Sequence, residues 1–452
     1  MLFIVIVSLD EMLRWSLLLF SVAFTRSTTS YTGPFGDEAF GRVATQGVVL
    51  LEWAQREGAD VSKVSIAAGE FGNSLIVNEA TAADELLLHI PYEVAMSPDS
   101  AKNSSLYGEA MRDLERRGAS SLVLVVLHLL REREAGAQSR WSPYIQALPA
   151  KYNTLLDFSE EELSLLDGTI AHRYWVQNTL PRYQAVRDFV FNTAHAWHPK
   201  LFKYKEEYLK WAFSTVISRA WEFGGEVQLV PVADMANHRS QETNLVRQHS
   251  GGFRDGGFRF KLERDHQQGE QFFQSYDDGS LPGTGGAKCD HQLLADYGFL
   301  PKAFQCLPLA IRITLEKMPA WKRRVFQETG LLQQQTTILS DGTPSNVTLA
   351  VARLALLDDE NSIEGWEEDH GRLQRGPISP MNEVQTLGLL TKMIKSLANR
   401  KSVEKDEAAL QDPASAQMST NRRLALLYRL RQQKGLELAL ARLREMKGRV
   451  AL

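Results

Sequence analysis

The chain has 452 residues, 44% of them hydrophobic and 23% charged, a globular composition that excludes a disordered chain. At roughly 150 residues per domain it makes two or three domains, and a formal net charge of −4 argues against whole-chain nucleic-acid binding. With only Cys289 and Cys306, and ten histidines, no disulfide framework, thiolate zinc site or multi-metal centre is expected.

Residues 1–36 read as a targeting presequence that is cleaved. Asp10 and Glu11 split its apolar run, so no span of ~20 apolar residues forms and stable membrane insertion is not expected. From Met12, a charged Arg14, an apolar stretch at 15–20 and the small residues Ser21 and Ala23 make a secretory signal that leaves Phe24 as the new N-terminus. The hydroxyl-rich tail that follows has transit-peptide composition. Three destinations stay open: a plastid through a bipartite presequence, the secretory pathway, or the cytoplasm or nucleus if the start is misassigned.

A helix is expected over 46–56, then short strands at 63–66, 75–77 and 86–90, separated by glycine-containing turns. Residues 101–221 turn helical in period, with SSLVLVVLHLLRERE as a buried helix and WSPYIQALPAKYNT as its interruption. Strand signals return at 226–232, 258–262 and 270–276. From 301 onward the pattern is helical, with loops at 340–345 and 359–380. This order predicts a β-rich core over 43–300, a helical insertion at about 101–221, and a helical domain over 301–452. Residues 421–452 hold nine Lys or Arg and two Glu, a net +7, which leaves −11 elsewhere. Such a run is a solvated helix face against an acidic neighbour, or a docking surface for an acidic partner.

The Gly-rich GTGGAKC at 283–289 lacks phosphate-loop spacing and reads as a flexible insert. His195 and His198 lack a third ligand and read as surface histidines. The informative segment is LVPVADMANHRSQETN at 229–244, where an apolar strand runs into Asp234, Asn237 and His238. By itself it fits a capped strand-to-loop corner. Some thirty residues on, GEQFFQSYDD ends a strand at Tyr276, and LLADYGF follows with Tyr297. Two strand-end tyrosines with an Asn-His corner are unusual for a core.

This combination resembles the SET-domain methyltransferases, and within them the branch of the Rubisco large-subunit lysine methyltransferase. LLEWAQREGADVSKVSI, GNSLIVNE with DELLLHIP, RWSPYIQALPAKYNT, FSEEELSLLDGT, VISRAW and Asn382-Glu383 are similar to that branch in the same order. The resemblance implies an α+β fold: a knotted β-rich SET core with an inserted helical lobe, followed by an all-α C-terminal substrate-binding domain. It implies S-adenosyl-L-methionine as cofactor, with Gly72, Asn73 and Ser74 offering backbone groups to its methionine end and Arg219 reaching its carboxylate or ribose. Asp234, Asn237 and His238 would shape the adenosine pocket, Phe299 would stack near the adenine, Tyr276 would be catalytic, and Tyr297 would line the substrate channel with it. The implied activity is protein-lysine N-methylation of a non-histone protein by a monomer, without metal or nucleic acid. A plastid address would make the Rubisco large subunit or an aldolase the target. Histidine methylation, or a catalytically weak scaffold that binds a protein partner, are the alternatives. Two residues depart from the branch. Ser74 replaces a usual glycine. Asp290 replaces a usual asparagine, where an anion would either pair with the sulfonium or repel the cofactor carboxylate.

Overall fold

The computed structural model describes residues 37–69, 72–239, 245–249, 256–276, 288–311, 313, 318–363, 369–397 and 403–450. The presequence reading and most of the Gly-rich insert lie outside the described residues. The helix Asp37–Arg56 buries Leu50, Trp53 and Ala54, one face at helical spacing. β1 (Val64–Gly69) and β2 (Gly72–Val77) pair antiparallel from Val64 opposite Val77 to Gly69 opposite Gly72. β3 (Leu86–Pro91) buries Leu87, Leu88 and Ile90 and belongs to a second sheet described below.

The helical lobe follows β3. Its centre is the helix Ser121–Ala135, which Ser120 caps and which is buried continuously from Val123 to Leu130. A helix apolar on all sides must lie inside a core, and this one packs on the helix Glu206–Arg219. The chain leaves the lobe through β4 (Trp221–Phe223) and β5 (Glu226–Gln228), an antiparallel hairpin. β6 (Asn237–His238) follows, then β7 (Leu245–His249) and β8 (Gly257–Leu262), with β8 central between β3 and β7.

β9 (Phe273–Gln274) runs parallel to β6, with Asn237 opposite Phe273 and His238 opposite Gln274. Gln271 bridges to Ile76 on the other side, so this segment lies between β2 and the Asn-His strand. The strand expected through Tyr276 is shorter than predicted. The Tyr276 N–H donates to His238 Nδ1 at 2.9 Å, which diverts it from the ladder.

Beyond 301 the all-helical expectation also needs correction. β10 (Cys306–Pro308) and β11 (Thr337–Leu339) pair antiparallel, two runs too short to register as alternation. The remainder is helical, chiefly Ala320–Glu328, Asn346–Ala355, Pro380–Leu397, Val403–Gln411 and Thr420–Val450. Arg353 donates to both carboxylate oxygens of buried Glu383, at 2.7 and 2.9 Å, tying two of these helices. The two cysteines, too few for a framework, nonetheless form one disulfide, Cys289–Cys306, across a separation of 17 residues. Among the described residues no helix is long and apolar enough to cross a membrane.

Candidate active site

Four segments converge: the start of β2, the end of the helix Glu206–Arg219, the turn leading into β6, and the aromatic corner at 297–299. The turn starts at Val232, whose φ of +70° is rare for a β-branched residue and costs on the order of 1–3 kcal/mol. It continues through Ala233–Met235 into β6. There Asn237 Nδ2 donates to Ser74 Oγ at 3.0 Å and to the Asn73 carbonyl at 3.3 Å, locking the Asn-His strand onto β2. Asn73 Nδ2 in turn donates to the Ala147 carbonyl of the helical lobe at 3.2 Å. Gly72, at φ +94°, leaves open space where a side chain would stand.

Tyr276 follows β9. Its hydroxyl donates to the Ala236 carbonyl at 2.9 Å, and burial pushes that hydroxyl up to about 12, so it stays neutral. Its ring stacks on Tyr297 with centroids 4.9 Å apart and 24° between planes. His238 lies 5.0 Å from the Tyr276 ring, and Phe299 meets the two tyrosine rings edge-on at 6.5 and 6.4 Å. Tyr297 is not at a strand end, as expected; it closes a π-helical turn, Leu293–Tyr297. Gly298 then turns the chain at φ +75°. A β-carbon there would lie 2.5 Å from the Asn153 carbonyl carbon, so glycine is required to seat this corner against the lobe. Asp296 holds the same turn by accepting from Tyr174 Oη at 2.8 Å and Thr179 Oγ1 at 2.6 Å.

Arg219 Nη1 donates to the Asp234 carbonyl at 2.9 Å. The Asp234 carboxylate departs from its expected place. Its side chain is 0% exposed, so it does not line an open pocket, and Oδ2 accepts from Tyr144 Oη at 2.7 Å. Sequence reasoning missed Tyr144 because 90 residues separate the partners. It sits in the WSPYIQALP stretch, which was legible only as an interruption between helices.

Asp290 is a second correction. Its Oδ1 accepts the Gln305 N–H at 2.8 Å and its Oδ2 lies 3.3 Å from Arg431 of the C-terminal helix. The carboxylate is committed to that helix and not to a sulfonium. Among the described residues no group of three His, Cys, Asp or Glu is placed to hold a metal. His195 contacts the Phe202 carbonyl and His198 contacts Asp113, each at about hydrogen-bond length.

The remaining candidates Gly72, Asn73, Ser74, Arg219, Asn237, His238, Tyr276, Tyr297 and Phe299 do come together. Open space at Gly72, a guanidinium whose buried Nε has no protein partner among the described residues and a cluster of aromatic faces fit S-adenosylmethionine, whose parts are a charged amino acid, a sulfonium and an adenine.

Residues 315–436 match the family described as Rubisco LSMT substrate-binding. The actin-histidine N-methyltransferase of Mus musculus is 27% identical over 415 residues, covering 86% of this chain and 67% of the mouse protein. The Homo sapiens actin-histidine N-methyltransferase has the same identity and coverage. Two solved structures share the fold at 21% identity. The SET domain of LSMT bound to lysine and AdoHcy matches with a TM-score of 0.66, over 90% of this chain and 92% of that one. Rubisco LSMT bound to AdoMet matches at 0.65, over 90% and 93%.

Proposed function

We propose that this chain, a SET-domain protein of the Rubisco large-subunit methyltransferase branch, is an S-adenosylmethionine-dependent protein-lysine N-methyltransferase acting on a non-histone protein. The observation that carries the reading is the Tyr276–Tyr297 stack beside the Asn-His strand, an aromatic wall suited to the apolar stem of a lysine. When bound, the cofactor supplies an electrophilic methyl group on a positive sulfonium. Gly72, Asn73, Ser74 and Arg219 would hold its methionine end, and Asn237, His238 and Phe299 its adenosine.

The chain's residues set the acceptor. A lysine with a free pKa near 10.4 costs about 4.6 kcal/mol to hold neutral at pH 7. Burial beside the tyrosine rings favours the uncharged amine by desolvation. The Tyr276 proton is committed to the Ala236 carbonyl, so the phenolic oxygen presents lone pairs. It therefore accepts an N–H from the amine and aims the nitrogen lone pair. Orientation of this kind supplies as much as ~7–11 kcal/mol in favourable systems.

A second reading, histidine methylation, is favoured by the relatives named as actin-histidine N-methyltransferases. One experiment separates the readings: purified chain, AdoMet and a proteome extract, with methyl sites located by tandem mass spectrometry. Methyl groups on lysine Nζ support the proposal. Methyl groups confined to histidine rings replace its acceptor, and no calorimetric binding of AdoMet sinks the enzyme reading in favour of a scaffold.

The composition of residues 1–36 adds a plastid address to the proposal, with a stromal protein such as the Rubisco large subunit or an aldolase as acceptor. A fluorescent fusion of residues 1–37 that stays cytosolic removes that part.

A further inference from the structure

The turn before β6 is gripped from three sides. Tyr144, wholly buried in the lobe helix Ser142–Ala147, donates to the Asp234 carboxylate. Arg219 donates to the Asp234 carbonyl, and Tyr276 donates to the Ala236 carbonyl two residues on. The turn does not hold its own shape by local preference, because it opens on Val232 at φ +70° and ψ −55°. Such a conformation persists only where its surroundings over-determine it. Tyr144 and Arg219 both belong to the helical insertion, and of the two Tyr144 makes the shorter contact to the Asp234 carboxylate, 2.7 Å against 3.6 Å for Arg219 Nη1.

We infer that Tyr144 is a positioning residue for methyl transfer, acting through Asp234 on the turn whose Ala236 carbonyl orients the Tyr276 hydroxyl. The inference rests on the function proposed above and adds a residue that the resemblance did not supply. Loss of the Tyr144 hydroxyl leaves the carboxylate end of the turn held only by Arg219 Nη1 at 3.6 Å. The Ala236 carbonyl then drifts, and with it the phenolic oxygen that receives the amine.

The groups facing Asp234 are Tyr144, Tyr152, Arg219 and Tyr276. Burial raises the Asp234 carboxyl to about 6, opposed by Arg219 and the Tyr144 hydrogen bond, which favour the anion. Removing that donor raises the carboxyl further. The grip is complete above the Asp234 midpoint and is lost as pH falls through it.

The test uses the full chain with Tyr144→Phe and Asp234→Asn. Rates on an accepted substrate are measured from about pH 6 to about 9, and the Asp234 carboxyl is titrated by ¹³C NMR in aspartate-labelled protein. For Tyr144→Phe we expect a kcat about tenfold lower at pH 7, a KM for AdoMet within about twofold, and an upward move of about one unit in both the acidic limb and the NMR midpoint. The deficit should shrink toward pH 9. Asp234→Asn should lose rate at every pH and lack the part of the acidic limb that tracks the Asp234 midpoint, which keeps the test open if Tyr144→Phe folds poorly. A loss that is the same at every pH, an unchanged kcat, or a midpoint that stays put overturns the inference. The NMR titration needs no substrate. If wild-type protein transfers no methyl group, the proposed function fails, and the midpoint still decides the Tyr144–Asp234 link.

Discussion

Replacing Tyr276 by phenylalanine removes one oxygen and tests the centre of the proposed chemistry. The ring keeps its 4.9 Å stack on Tyr297, and the backbone N–H keeps its bond to His238, so strand and pocket should survive. The Ala236 carbonyl loses its shorter donor and keeps Gln274 Nε2 at 3.4 Å, a loss of about 1 kcal/mol of stability. The rate should suffer more. A single positioned group in a dry site contributes ~2.7–4 kcal/mol by analogy with oxyanion holes, a loss of roughly a hundred- to thousand-fold in kcat. Affinity for AdoMet should barely change, because the lost bond acts on the amine in the transition state. Calorimetry gives the cofactor affinity, and single-turnover methyl transfer gives the rate. With its proton held up to about 12, Tyr276 should add no basic limb below about pH 10 in wild-type protein. A variant rate within threefold of wild type, on any accepted substrate, would refute the assignment.

Asn237→Ala removes the two bonds that pin the Asn-His strand to β2, and should abolish measurable AdoMet binding by calorimetry; unchanged affinity would put the cofactor elsewhere. Cys306→Ser opens a loop across a separation of 17 residues, which should cost about 3 kcal/mol and lower the denaturant midpoint under non-reducing conditions. Dithiothreitol should lower wild-type protein to the same midpoint, and a midpoint insensitive to both treatments would show that the crosslink contributes nothing. Glu383→Ala leaves Arg353 buried and unpaired and should destabilise by ~3–5 kcal/mol, whereas the double variant Arg353→Met with Glu383→Leu should recover most of it; equal losses in both would mean that packing, not charge, is at stake.

Local signals carried much of the fold. The runs at 75–77, 86–90 and 258–262 became strands, and the apolar SSLVLVVLHLLRERE became the buried lobe helix, because composition and period set those elements locally. The site was legible as residue types near strand ends, and Asn237, His238 and Tyr276 do meet. What stayed hidden lies at long sequence separation. Tyr144 and Asp234 are 90 residues apart, and Arg431 and Asp290 are 141 apart. No single-sequence pattern links such pairs. The basic C-terminal run is intermediate: composition pointed to an acidic neighbour but not to its residues. The structure pairs Arg422 with Glu161, Arg429 with Asp406 and Lys434 with Glu407. The net +7 is thus partly matched within the chain, which leaves less charge for docking an acidic partner.

The two residues that depart from the branch bear directly on whether the site works. Ser74 adds a hydroxymethyl group where the resemblance implies a glycine. Its Oγ accepts from Asn237 Nδ2, so the extra atoms join the bond that fixes the Asn-His strand. Asp290 was expected to place an anion near the sulfonium. Its carboxylate is spent on Gln305 and Arg431, and burial, which raises its pKa, is opposed by both partners. The scaffold reading drew its force from these two substitutions acting on the cofactor. Both are absorbed by contacts that stabilise the fold around the candidate site, so the main objection to the chemistry proposed at Tyr276 is removed. A lone anion facing the methyl donor would have been a reason for weak catalysis; an anion facing an arginine of the C-terminal helix is a reason for that helix to dock.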